Sequence, residues 1–113
     1  MLFRSVQDLD ELYSSIRVVC CPLFSGGGTR IKIIEAAFYG RPVVSTSVGA
    51  EGLAFVDRND IWLANSEADF AKACAALLED NDLACEIGSR ARQRALKTLA
   101  GTLGSAMRAG YRI

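Results

Sequence analysis

Histidine is absent from the 113 residues, and that absence removes much of the usual catalytic inventory. Without an imidazole there is no Ser-His or Cys-His nucleophile. The four cysteines include no CxxC pair, so the chain has no plausible structural zinc site. Cys20 and Cys21 adjoin in an apolar run, where successive strand side chains point to opposite faces, and Cys74 and Cys85 fall in helical pattern. Buried free thiols in a reducing compartment are the expectation for these cysteines.

Long apolar runs are also missing. The N-terminal MLFRSVQDLDELY has no stretch of signal-peptide length, and nothing elsewhere is long enough to span a bilayer, so a cytoplasmic chain with no integral membrane segment is expected. Net charge is lacking too: 13 basic and 13 acidic side chains cancel, leaving no whole-molecule field for nucleic acid or an anionic membrane. Any anion site must be local. The charges are unevenly placed, with nine acids against Arg58 and Lys72 in residues 51–86 and six bases with no acid in 87–113. Two solvated helix faces that pair with each other are the expected outcome.

What is present is half hydrophobic and 23% charged, the composition of one compact globular domain. VQDLDELYSS, residues 6–15, places Val6, Leu9, Leu12 and Tyr13 at helical spacing. RVVCCPLF, residues 17–24, is a continuous apolar run rich in β-branched residues, as in a parallel strand buried on both faces. A helix then runs from about residue 30 to Gly40, and Pro42 opens a second buried strand, PVVST, with no hairpin between them. That is a βαβ unit. A weak strand signal at 53–56, a turn at DRND and a better strand at IWLA, 61–64, follow. Ser66 and Asp69 resemble a capping box before an apolar stripe of Phe70, Cys74, Leu77 and Leu78. Residues 82–99 read as a last helix with Leu83, Ile87, Ala91 and Ala95 on one side, weakened afterwards by Gly101 and Gly104.

The chemistry concentrates in FSGGGTRIKIIEAAFYG, residues 24–40. Arg30 and Lys32 stand in the first turn of a helix whose N-terminus already carries about half a positive charge, a mild repulsion of roughly 0.3 to 1 kcal/mol each. An anion on the free backbone N–H groups would offset it, so Gly26, Gly27, Gly28 and Thr29, with Thr29 able to cap the helix, form a candidate phosphate loop. A plain turn would need only one or two glycines. Neither GxxxxGK[ST] nor GxGxxG is present, since Ile31 stands where the latter needs glycine. At about 100° per residue, Ile31, Ile34, Ala37 and Phe38 share one broad face, while Lys32, Glu35 and Tyr39 share an arc of about 60° opposite. Glu35 lies about a turn and a half above the loop, where a carboxylate could accept two ribose hydroxyls. The competing reading is an exposed i, i+3 ion pair with Lys32, worth a few tenths of a kcal/mol.

The run PLFSGGGTRIKIIEAAFYGRPVVSTSVGAEGL, preceded by DLDELYSSIRVVCC and followed by IWLANSEADFAKACAALLEDNDL, resembles the C-terminal half of family-four-type retaining glycosyltransferases of the GT-B fold. The similarity extends from about residue 8 to residue 97, and its most specific part is the glycine loop with the following Glu, Gly and Pro-Val-Val. The resemblance implies an α/β fold, a partial Rossmann-like parallel sheet flanked by helices, with residues 1–113 a single incomplete donor-binding domain and the acceptor domain elsewhere. It implies a nucleoside-diphosphate sugar as donor substrate, with no further cofactor and no bound catalytic metal. Glu35 matches the second Glu of the family's E-x7-E motif and would bind the ribose hydroxyls; amides around Gly27, Gly28 and Thr29 would face the diphosphate or sugar. Two departures stand out. The first Glu of the motif would fall at position 27, which is Gly27, and Arg30 and Lys32 stand where many relatives carry Gly and Pro.

No catalytic side chain is assigned, and the chain alone is expected to be inactive. Peripheral membrane association stays open for a longer protein. A second reading is a non-catalytic nucleotide-binding or protein-interaction module of the same fold, whose uncovered sheet edge pairs with another copy, as a homo-oligomer, or with another chain.

Overall fold

A computed structural model describes residues 6–22 and 29–108, with side chains described from residue 10 to 22 and from 31 to 101 and for Asp8. The elements in chain order are α1 (Val6–Ser15), β1 (Val19–Cys21), α2 (Thr29–Phe38), β2 (Val43–Ser45), β3 (Trp62–Leu63), α3 (Glu67–Glu79) and α4 (Asn81–Arg108). The strands form one parallel sheet in the order β1-β2-β3. Val19 pairs with Val43 and Val44 with Trp62, and the Val19 N–H donates to the Pro42 carbonyl at 2.9 Å. The βαβ unit expected from the missing hairpin is therefore present.

Parallel strands need both faces covered, because their crossovers put helices there. β2 shows this by alternation: Val43 belongs to a core with Tyr13, Cys21, Ile33, Ala36 and Ile61, and its neighbour Val44 to a core with Ala64, Ala73, Leu77, Ala84 and Ile87. Helices α1 and α2 supply the first layer, and α3 and α4 the second. Cys20 and Cys21 separate in the same way. Cys21 is buried in the first layer, while the Cys20 Sγ lies 3.2 Å from the Cys74 Sγ on α3, and all four cysteines are free thiols. Cys20 and Cys85 are exposed residues, which corrects the expectation of burial for these two. The reason for Cys20 is topological: among the described residues β1 pairs on one side only. Packing against Cys74 still pushes the Cys20 thiol up to about 12, first through desolvation and then through the hydrogen bond.

The second layer starts at a capped terminus. Ser66 is the N-cap of α3 and its Oγ accepts the Asp69 N–H at 3.1 Å, as the sequence pattern suggests. Leu77 is buried, but Leu78 is exposed, so the apolar stripe is narrower than expected and runs through Ala73 instead. Asp80 then caps α4 by accepting the Leu83 N–H at 3.0 Å. Helix α4 continues without a break through Gly101 to Arg108.

Residues 53–56 do not form a strand. The chain there folds instead around the carboxylate of Asp60, which is 2% exposed, with Oδ1 accepting the Val56 N–H at 2.6 Å and Oδ2 accepting Arg94 Nε at 2.9 Å. Arg58, at φ 66, makes the turn. The basic residues of α4 therefore pair with this turn and, through Arg90 and Glu86 at 3.8 Å, within their own helix. Among the described residues no ion pair joins them to the acids of α3.

Helices α2 and α4 approach closely because small residues line the seam, with Ala37, Ala91 and Ala95 buried together. Gly40 ends α2 at φ 69, with its N–H on the Ala37 carbonyl and the Arg41 N–H on the Ala36 carbonyl, a glycine-dependent C-terminal cap. Gly88 faces that cap so tightly that a Cβ would lie 2.1 Å from the Gly40 carbonyl oxygen.

Two stability outcomes follow from these packings. Gly88→Ala should cost about 1 to 3 kcal/mol in denaturant unfolding because backbone must move, whereas Gly101→Ala, with nothing within 4 Å, should gain up to about 1 kcal/mol. The same sign for both would refute the seam as described. Arg94→Ala should cost about 3 kcal/mol by leaving a buried carboxylate without its ion-pair partner, and a neutral result in the same assay would show that Asp60 is not held by Arg94.

Candidate functional site

In open parallel sheets, ligands bind beyond the carboxyl ends of the strands. Described there are Pro22 after β1, the turn that follows β2, and Ala64 to Ser66 after β3. The last two are tied together, since Asn65 Oδ1 accepts the Ser47 N–H at 2.9 Å and its Nδ2 donates to Ser47 Oγ at 3.0 Å. Thr46, buried, accepts the Gly49 N–H on its hydroxyl at 3.1 Å and the Ala50 N–H on its carbonyl. This turn is a shaped rim at the strand ends.

Gly26, Gly27 and Gly28 lie outside the described residues. Thr29 and Arg30 begin α2, with only their backbone described. Lys32 is exposed, and its Nζ lies 3.8 Å from Glu35 Oε1. The i, i+3 ion pair is thus present, but Glu35 is more than its partner. Its side chain is only 24% exposed, and the same Oε1 accepts the Tyr13 hydroxyl at 2.7 Å.

That bond exists because α2 is turned differently from the helical-wheel expectation. The buried positions are Ile33, Ala36 and Ala37, while Ile31 is 71% exposed. Ile34 and Phe38 line an open apolar cleft of about 310 Å³ with Leu53, Phe55, Ala95 and Leu99. A single apolar face cannot describe this helix, because the sheet, α1 and α4 each cover a different flank. Ile33 and Ala36 meet the sheet layer, Ala37 meets Ala91 and Ala95, and Tyr39 meets Tyr13 from α1. Glu35 is left at the α1 seam.

Tyr13 was legible in sequence only as one apolar position of α1. In the fold its ring stacks on Tyr39 with centroids 4.4 Å apart and planes 6° from parallel. Arg41 clamps the pair from behind, donating Nε to the Tyr13 carbonyl at 2.9 Å and Nη1 to the Tyr39 carbonyl at 3.1 Å. The Tyr39 hydroxyl in turn bonds the Asp10 carboxylate, which raises its pKa above the usual value. Burial first, and then the Glu35 hydrogen bond and charge, hold the Tyr13 phenol well above its ordinary 10.0. Tyr13 is therefore a proton donor to Glu35 at any physiological pH.

Among the described residues no helix is long and apolar enough to cross a membrane, and no group of three metal-binding side chains assembles.

A family model described as "Glycosyl transferases group 1" matches residues 2–80. An uncharacterised 44.6 kDa protein in the cps region of Klebsiella pneumoniae is 32% identical over 68 residues, which is 60% of this chain and 18% of that protein. Among solved structures, the C-terminal domain of the glycosyl transferase group 1 family protein LpcC from Francisella tularensis superposes with a TM-score of 0.72 at 18% identity, over 86% of this chain and 50% of that one. At that identity the likeness is one of fold, and it agrees with a Rossmann-like α/β arrangement of the GT-B donor domain. This chain spans half the length of the solved domain and under a fifth of the curated relative.

The state of Tyr13 makes alkaline stability a direct readout of the seam. A phenol whose folded pKa is raised contributes stability that is complete below its unfolded value near 10 and is lost as pH rises through the folded one. Unfolding free energy should fall above about pH 10, and Tyr13→Phe should flatten that fall; an unchanged slope would show that the phenol ionises freely.

Proposed function

This chain belongs to the glycosyl transferases group 1 family, and on that premise we propose that it is the nucleotide-sugar-binding part of a larger enzyme that moves a sugar from a nucleoside diphosphate to a hydroxyl acceptor with retained configuration. The observation that carries the reading is Glu35: a half-buried carboxylate a turn and a half into the helix that follows β1 in a parallel βαβ unit, held there by the Tyr13 hydroxyl. In this reading Glu35 accepts the ribose hydroxyls. The loop amides of Gly26, Gly27, Gly28 and Thr29, together with the positive end of α2, take the diphosphate.

In the transfer, the bond from the sugar's anomeric carbon to the diphosphate breaks with its electron pair going to the diphosphate, a new bond to the acceptor oxygen forms, and the acceptor hydroxyl's proton passes to an oxygen of the departing diphosphate. The charge that develops falls on the leaving diphosphate. In this reading Arg30, Lys32 and the loop amides supply positive potential where it is needed, which is the kind of stabilisation that usually contributes most to catalysis. The acceptor and its domain belong, in this reading, to the rest of a longer protein, and a chain that spans under a fifth of the curated relative is in keeping with it. With Gly27 in place of the family's first carboxylate, sugar contacts fall to backbone groups and other side chains.

A second reading keeps the fold without catalysis. Among the described residues β1 pairs on one side only, which favours a module that adds another strand, from a second copy or another chain, at that edge. Size-exclusion chromatography separates the two, since a clean monomer that binds nucleotide counts against an obligate partner.

Binding is measured by thermal shift with UDP, GDP and ADP. At least one should raise Tm through mass action, and Glu35→Ala in the intact protein should weaken that nucleotide by about tenfold, or roughly 1.4 kcal/mol. If none shifts Tm and Glu35→Ala changes nothing, the site assignment fails.

A further inference from the structure

We infer that Tyr13 is a positioning residue for the nucleotide site, fixing the Glu35 carboxylate through Oε1 so that Oε2 is presented to the ribose hydroxyls. The inference rests on the proposed role of Glu35 as the ribose-binding group and adds to it a residue from a different helix.

A glutamate on a helix surface has several rotamers to lose when it binds a ligand, and a nearby cation to distract it. Lys32 is such a cation, at 3.8 Å and well exposed. Tyr13 removes both problems. Its hydroxyl holds Oε1 at 2.7 Å, a hydrogen bond to an ionised acceptor and so stronger than a neutral pair of the same length. The Tyr13 hydroxyl and Lys32 both approach Oε1, and among the described residues nothing is bonded to Oε2. A vicinal diol can then take Oε2 with one hydroxyl and the remaining lone pair of Oε1 with the other.

The donor is itself immobilised to a degree that core packing alone does not require. The Tyr13 ring is buried and stacked on Tyr39. Arg41 ties the two tyrosine carbonyls together, and the Tyr39 hydroxyl returns to Asp10 on α1. The titratable groups facing the phenol are Glu35 from α2, Cys21 from β1 and the Tyr39 hydroxyl, with Lys32 on Glu35, Asp10 on Tyr39 and Arg41 on the two tyrosine carbonyls. Burial and the neighbouring Glu35 charge keep the phenol protonated, so it can only donate to the carboxylate. Fixing a ligand group in its bound geometry before binding lowers the entropy lost on association. A tyrosine that merely filled the core would need none of this polar support.

The test uses the intact protein, whichever of UDP, GDP and ADP binds best, and its 2′,3′-dideoxy counterpart, with Tyr13→Phe and Glu35→Gln. Phenylalanine keeps the stack and removes only the hydroxyl. Tyr13→Phe should weaken the ribonucleotide by about fivefold to tenfold while leaving the dideoxy form unchanged, and should add little to Glu35→Gln in the double variant. Equal loss for both nucleotides marks a purely structural tyrosine and overturns the inference; so does no loss for either. If Glu35→Gln discriminates between the two nucleotides and Tyr13→Phe does not, the inference fails and the ribose assignment stands. If Glu35→Gln does not discriminate, both fail. Should Tyr13→Phe not fold, the unaltered protein labelled with carbon-13 at tyrosine Cζ gives the answer. The Tyr13 resonance should move on saturation with the ribonucleotide and not with the dideoxy form, and identical responses would overturn the inference.

Discussion

The enclosure of α2 on three flanks is the constraint on which the rest of the structure depends. One flank meets the sheet through Ile33 and Ala36, another meets α4 through Ala37, and the third meets α1 through Tyr39. Parallel strands on either side of this helix require it to lie across the sheet. The close α4 contact is possible only because Gly40, Gly88, Ala91 and Ala95 leave room for backbone to approach backbone. With those three contacts made, the rotation of α2 about its own axis is determined. Every site residue on it is placed as a consequence.

Glu35 illustrates how position decides chemistry. On a solvent-facing arc it would be half of an ion pair with Lys32, worth little. At the α1 seam it meets a buried phenol instead, and the tyrosine stack and Arg41 clamp behind that phenol give the carboxylate a defined orientation. The cations at the start of α2 sit less than two turns away. In the proposed reading, positive potential at one end and an oriented carboxylate at the other match a ligand that is anionic at one end and hydroxylated at the other. The proposed nucleoside-diphosphate donor has that form.

The Asp60 turn shows where composition alone misleads. An acid-rich middle and a base-rich end suggested two complementary helical faces, yet the strongest pairing joins a buried loop carboxylate to Arg94. Charge counts give sign and region but not burial. A carboxylate that accepts one backbone N–H and one guanidinium can be taken out of water where its neighbours in α3 remain in it. The same cause removes the weak strand at 53–56, because that backbone is spent on the turn around Asp60.

Local pattern determined a good deal by itself. The apolar runs around Val19 and Val43, the absence of a hairpin between them, the Ser66 cap and the glycine stop at Gly40 each follow from short-range steric and hydrogen-bonding rules, and the parallel α/β layers follow from them. The glycine loop and Glu35 could be picked out as a candidate anion and ribose site for the same reason, since motif spacing on a helix is a local property. Which face of α2 is buried, that β1 is paired on one side among the described residues, and that Tyr13 reaches Glu35 across 22 residues of sequence were decided only in the tertiary structure. A helical wheel assumes one covering surface, and α2 has three.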